Sequence, residues 1–267
     1  MMFYLEHFGL QFPPFERELA PEHLFDLPQF AEALARLLYV CRKRTLAVLT
    51  GEPGSGKSTL LRLLRHKLEP ESYLFIYLAD SQLTPRNFYT LCLSALGLAG
   101  SGSLPKLKTL FKTALMDLYE NNNRTAVIAV DEAQTLEDSM LQELRFIMNF
   151  RVDSFSPLAL VLVGESNLKA ALRAFHMSAI WRRVDTSYHL TAMDFDQTKA
   201  YINHHLRVAG CPRPLFPDDV ISRIQDRTKG IPAFVNTLCK GCLLDAGARK
   251  QELVDGENLA RVLTDFS

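Results

Sequence analysis

The sequence lacks any imbalance of charge, with 30 Lys and Arg residues against 30 Asp and Glu in 267 residues. No global field therefore draws the chain to nucleic acid or to an anionic membrane, and any basic patch must be local. Long apolar runs are missing as well. Nothing approaches the ~20 residues of a membrane-spanning helix, and the opening MMFYLEHFGLQFPPFERE has acids and prolines where a signal peptide needs a basic start and an apolar stretch. The chain reads as cytoplasmic, with no membrane segment and with reduced thiols. Cysteines are few and odd in number, and the Cys239/Cys242 pair has no second CxxC with which to complete a metal quartet. Its flanks, VNTLCKGCLLDA, form an apolar helical run, so both thiols read as core residues. His204 and His205 are adjacent, point different ways on a helix, and read as surface or boundary residues rather than metal ligands. Internal repeats and low-complexity tails are absent, and so is an NKxD element of the kind that reads a guanine base.

What is present is a set of short, continuously apolar segments alternating with amphipathic ones. TLAVLT, SYLFIYLAD, TAVIAVDEA and LALVLVGE read as buried strands. LPQFAEALARLLYVCRKR precedes the first of them as a helix; between them lie the helices KSTLLRLLRHKL and LEDSMLQELRFIMNF, and a region from 85 to 120 of helices broken by GLAGSGSLP. Strands without polar alternation, separated by helices, predict an α/β fold: a parallel sheet covered on both faces, with its ligand at the carboxyl ends of the strands. Beyond YHLTAM the strand signals stop and four helices follow, with Asp194, Pro217 and Asp255 as starts and Gly210 and Gly230 as stops. The expected organisation is an N-terminal arm over 1–24, a nucleotide-binding αβα domain over 25–192 and a small all-helical domain over 193–267.

Residues 51–58, GEPGSGKS, satisfy every fixed position of the phosphate-loop template, follow a strand and open a helix. Glycines at Gly51, Gly54 and Gly56 permit torsions that turn successive N–H groups inward, and the helix adds its positive end. The cradle comprises Gly51, Glu52, Pro53, Gly54, Ser55, Gly56, Lys57, Ser58 and Thr59. Lys57 would reach the β- and γ-phosphates, and the Ser58 hydroxyl would ligate Mg2+. Asp131 ends the strand AVIAVD, so its carboxylate should emerge beside the cradle and hold the metal through water. Glu132 next to it can polarise a water for attack on the γ-phosphate. A water-activating acid indicates hydrolysis, and without the guanine-reading element ATP is the favoured nucleotide.

With DEAQTL after one strand, VLVGESNL on the next, IWRRV beyond it and GIPAFVN among the later helices, the chain resembles the ExeA/GspA-like AAA+ ATPases, whose relatives include the TnsC- and TniB-type transposition regulators. The opening FYLEHFGLQFPPF is similar to the start of ExeA-like proteins. The resemblance implies a P-loop NTPase (AAA+) domain followed by a helical lid, and assembly as homo-oligomeric rings or spirals with ATP at the interface. It also implies an arginine donated by the neighbouring subunit, which falls at Arg183, with Arg182 beside it; the alternative is that both decorate a surface helix end or bind nucleic acid. Where the family carries a polar sensor, often glutamine, this chain has Glu165, which cannot donate a hydrogen bond unless protonated; the expectation is that it pairs instead with an arginine, leaving Asn167 as the donor. The family's lid arginine is replaced by Ala233, which predicts slow turnover.

A local basic set, Lys106, Lys108, Lys112 and Arg124, lies where DNA-engaging relatives insert elements toward a central pore, and repetition along an assembly would sum modest charge into salt-sensitive binding. The leading expectation is an ATPase that assembles on double-stranded DNA as a ring or filament, recruits or regulates a transposase together with a target-selection protein, and disassembles on hydrolysis. The chain stopping at Ser267 favours this over the second expectation, an ExeA-like ATPase of cell-envelope secretion, whose full-length members carry a transmembrane segment after the ATPase domain. A third is a nucleotide-gated platform with negligible hydrolysis.

Overall fold

The computed structural model describes residues 3–80 and 82–265; the outermost ends of the domain ranges above lie outside the described residues. In chain order the elements are α1 (Phe3–Phe8), α2 (Pro28–Lys43), β1 (Leu46–Gly51), α3 (Lys57–Lys67), β2 (Tyr73–Leu78), α4 (Pro85–Ala95), α5 (Leu104–Glu120), β3 (Thr125–Val130), α6 (Asp138–Ile147), β4 (Leu158–Gly164), α7 (Ser166–Arg173), α8 (Ser178–Trp181), β5 (Val184–Leu190), α9 (Phe195–Val208), α10 (Asp218–Thr228), α11 (Pro232–Ala248) and α12 (Gly256–Asp265). Two compact units result. One holds the described part of Met1–Pro28, Gly54–Gly56 and the described part of Thr191–Ser267; the other holds Gln29–Pro53 and Lys57–Leu190.

The second unit is the expected parallel sheet, with strand order β2-β3-β4-β1-β5. Strands β1, β3 and β4 are buried along their whole length, which is why they read as unbroken apolar runs. The fifth strand, VDTSYHL, sits at an edge and is mostly half-buried, so it carries too little apolar pattern to be listed with the other four. Helix α6 ends at Ile147, earlier than its sequence pattern suggests, because Phe150 turns to pair with Phe155 before β4 begins.

In the helical unit the predicted start and stop signals act as expected. Asp194 caps α9 by accepting from Gln197 N–H, and the Gln197 side chain accepts from Asp194 N–H in return. Asp255 accepts from Glu257 and Asn258 N–H at the start of α12. The segment before α2 packs within this unit: Phe8, Leu10, Phe15, Leu19 and Leu27 are buried there, and Tyr4 lies close enough to α11 that only a glycine, Gly247, fits beneath it. Cys239 and Cys242 are fully buried in α11, where burial raises both thiols well above their ordinary range, Cys242 to about 12. His205 is not at the surface. It is 3% exposed because Pro14 and Phe15 cover that face of α9; its Nδ1–H donates to Pro14 O at 2.9 Å, and Phe15 and Tyr201 flank the ring.

Burial, with the neighbouring His204, pushes the His205 imidazole from its ordinary 6.5 down to about 4. The folded chain then refuses a proton that the unfolded chain accepts near 6.5, so stability is lost as pH falls from about 6.5 toward 4, by an amount that approaches roughly 3 kcal/mol at the bottom of that window. Replacing His205 with Gln, which can still donate to Pro14, should flatten this dependence. Urea melts followed by circular dichroism between pH 4.5 and 7 should show the two proteins converging at low pH; parallel curves would contradict the assignment.

Candidate nucleotide site

The phosphate loop leaves β1 at Gly51, and Gly54 and Gly56 take φ values of 81° and 99°, which L side chains rarely adopt. Lys57, at the first turn of α3, is only 8% exposed, and its ammonium donates to the carbonyls of Gly51 at 2.9 Å and Glu52 at 3.1 Å. It is thus held inside the curl of the loop, where a phosphate would lie. The Ser55 hydroxyl is buried with no hydrogen-bond partner, an orphaned donor at the tip of the loop. Glu52 is tied to the start of α7 through a hydrogen bond from Ser166 Oγ, at 2.7 Å.

Asp131 follows β3 directly and is 4% exposed. One carboxylate oxygen accepts from Glu132 N–H at 2.9 Å, and the other accepts from Ser58 Oγ at 3.4 Å and Tyr77 Oη at 2.7 Å. Ser58 and Asp131 therefore meet, as a shared metal requires, and an oxygen-only donor set of hydroxyl and carboxylate suits Mg2+. Tyr77 was not singled out by sequence. It lies near the carboxyl end of YLFIYL, between Ile76 and Leu78, and a hydroxyl-bearing residue at that end of an apolar strand was the available signal. Partial burial and then the Asp131 carboxylate push its phenol pKa up, so it remains a donor.

Glu132 is exposed and adopts a left-handed backbone (φ 54°, ψ 32°), a conformation that costs of order 1–3 kcal/mol in a residue with a side chain. Its carboxylate accepts from Gln134 Nε2 at 2.7 Å, and the Gln134 carbonyl oxygen accepts from Glu165 N–H at 3.1 Å. Gln134, present in the DEAQTL motif but given no role there, links the two acids. The link exists because β4 lies between β1 and β3, so Glu165 leaves the sheet between the phosphate loop and Asp131. Among the described residues no ion pair joins Glu165 to an arginine, contrary to the expectation above. Asn167 is exposed in the first turn of α7, and Ala233 is the second residue of α11.

The arginines lie elsewhere. Arg182 caps α8 and is exposed; Arg183 precedes β5 and donates to Asp153 at 2.6 Å. Val184 pairs in register with Leu46 at the start of β1, whereas the phosphate loop begins after Gly51 at its end. Six residues of parallel strand put Arg183 roughly 20 Å from the loop that follows the neighbouring strand. The basic set is dispersed in its commitments. Lys108 pairs with Glu143, which also accepts from Tyr89. Lys112 reaches Asn149 O over the Phe150 ring, and Arg124 donates to Tyr73 O. Lys106 is exposed.

A parallel five-stranded sheet, a phosphate loop after its β1 strand and paired acids after β3 give this chain the P-loop fold of the AAA+ kind. Residues 41–172 match the family model described as AAA domain. The chain is 30% identical to the general secretion pathway protein A of Aeromonas hydrophila over 263 residues, 95% of this chain and 47% of that protein, so it spans about half the length of this curated relative. Among solved structures it is similar to Cdc6p from Pyrobaculum aerophilum (16% identity, TM-score 0.71, 94% of this chain and 70% of that one). It is also similar to the Aeropyrum pernix ORC1 protein in complex with DNA (16% identity, TM-score 0.69, 95% and 68%). Both likenesses are of fold. Among the described residues no helix is long and apolar enough to cross a membrane.

If Lys57 holds the phosphates, replacing it with Ala should weaken ATP binding by roughly 10- to 100-fold, the worth of hydrogen bonds to a charged group. Titration calorimetry with Mg-ATP measures this directly; an unchanged affinity would remove the loop from the nucleotide site.

Proposed function

We propose that this chain hydrolyses ATP at a site completed by a second copy of itself. The observation that carries the reading is the placement of Arg183 at the opposite end of β5 from the strand ends that bear Lys57, Asp131 and Glu132. A guanidinium there cannot serve the nucleotide of its own chain, but it can face the nucleotide of a neighbour. In this reading Lys57 and the loop N–H groups bind the phosphates, Ser58 and Asp131 hold Mg2+, and Glu132 orients the attacking water. Arg183, seconded by Arg182, offsets the charge that develops on the γ-phosphoryl group. With Glu165 in the sensor position and Ala233 in the lid, turnover is slow, which suits a nucleotide-timed assembly better than a processive motor.

For the work of that assembly, the 30% identity to a general secretion pathway protein favours a role in cell-envelope secretion. The commitment of Lys108, Lys112 and Arg124 to partners within the chain weakens the DNA reading made from sequence. The second reading, a DNA-assembled regulator of a transposase, rests on the motif resemblance. Electron microscopy with a non-hydrolysable ATP analogue separates the two: filaments that require duplex DNA support the transposition reading, and assemblies indifferent to DNA support secretion.

Glu132→Gln should lower turnover by about 10²-fold or more while ATP binding persists. Arg183→Ala should lower it on the order of 10³-fold, also without loss of binding. Mixing the two inactive variants should restore measurable phosphate release, since some interfaces then combine an intact Glu132 with an intact Arg183; a mixture as silent as its components would argue against a shared site.

A further inference from the structure

The segment between α6 and β4 makes a tight turn closed by the Phe150–Phe155 bridge. Its tip is unusual: Arg151, Val152 and Asp153 are successive left-handed residues, with φ of 46°, 59° and 63°. None is glycine, and a β-branched valine in that region is a genuine outlier. Val152 is also fully exposed, so packing of its side chain does not compensate. Backbone bonds and side-chain contacts together hold the turn. Arg151 pairs with Glu120 on α5 and lies over the Phe155 ring, Ser154 Oγ donates to Arg151 O, and Asp153 accepts from Arg183.

The last contact joins the strained turn to the arginine assigned above to a neighbour's nucleotide. The action of a guanidinium is switched by a change of partner. Among the described residues that partner is a single Asp153 oxygen bound to one guanidinium nitrogen, with Arg183 24% and Asp153 52% exposed. Such a pair is weak, and an incoming Mg-triphosphate offers more negative charge and more acceptor oxygens than one carboxylate. Exchange would also free the tip to leave its left-handed conformation.

We propose that Asp153 is a latch: it holds Arg183 on its own subunit and releases it only when a neighbour's nucleotide competes for the guanidinium. This rests on the reading of Arg183 as the cation supplied across the interface. The latch sets a threshold, so that turnover begins only when protein and nucleotide are both abundant enough to displace Asp153.

The test is Asp153→Asn, which removes the charge yet keeps a residue that tolerates the left-handed backbone, with Asp153→Ser as a second variant. Phosphate release is measured against protein concentration at saturating Mg-ATP. Both variants should reach half-maximal turnover at a protein concentration up to about fivefold lower than the parent, the factor that a half-exposed ion pair commands. The Asp153→Asn, Arg183→Ala double variant should match Arg183→Ala alone. If Arg183→Ala is slow but the Asp153 variants follow the parent curve or fall below it, the latch is refuted and the shared site stands. If Arg183→Ala itself turns over like the parent, the underlying reading fails and the latch with it.

Discussion

Parallel pairing of β3, β4 and β1 is the constraint on which the site depends. Thr50 pairs with Gly164 and Val130 with Leu162, so the residues that follow them, Gly51, Glu165 and Asp131, lie at one edge within a residue or two of each other. These strands are buried along their length, and a slip of one residue would carry apolar side chains out of the packing on both faces at once. The phosphate loop, Asp131 and Glu165 are therefore placed by aliphatic packing several residues away. Alanine, valine and leucine on β3 and β4 act on the chemistry only by fixing where the polar residues after them begin.

The same register separates what it does not assemble. Every strand of the sheet runs in one direction, so one edge collects strand ends and the other strand beginnings. Acids and phosphate loop belong to the first, Arg182 and Arg183 to the second. In the proposed reading the two poles carry complementary halves of one charged site, and two copies would have to meet to combine them. Oligomerisation in this reading follows from topology, and it calls for no additional interface motif in the sequence.

How much of this was legible beforehand depended on how strongly each feature is fixed locally. The phosphate loop and Asp131 could be read because their backbone demands and strand-end positions are written in consecutive residues. The cap of α9 at Asp194 was legible for the same reason. β5 has no such signature, since an edge strand is exposed enough to keep Asp185, Thr186 and Ser187. His205 was misplaced because what buries it, Pro14 and Phe15, lies 191 and 190 positions earlier, and periodicity along α9 carries no information about a distant segment. Tyr77, Gln134 and Asp153 share that obscurity: each matters through one long side chain or one turn reaching a residue whose importance was evident.

Those three residues have a common physical role. Asp131 accepts from Tyr77 and Ser58, Glu132 from Gln134, Lys57 donates to two carbonyls of its own loop, and Arg183 donates to Asp153. Each charged group of the proposed reaction thus has a partner from the chain where Mg2+, water, phosphate or a neighbour's phosphate would otherwise bind. A buried or half-buried charge without a partner costs several kcal/mol, whereas exchanging one hydrogen bond for another of similar kind costs little. Pre-paired groups let the site assemble by substitution, with no step at which a bare charge must be created. The same logic explains why Arg183 and Glu132 are singly held: a bidentate clamp on Arg183, or a second donor on Glu132, would hold the group in its own chain too firmly for a ligand to take it.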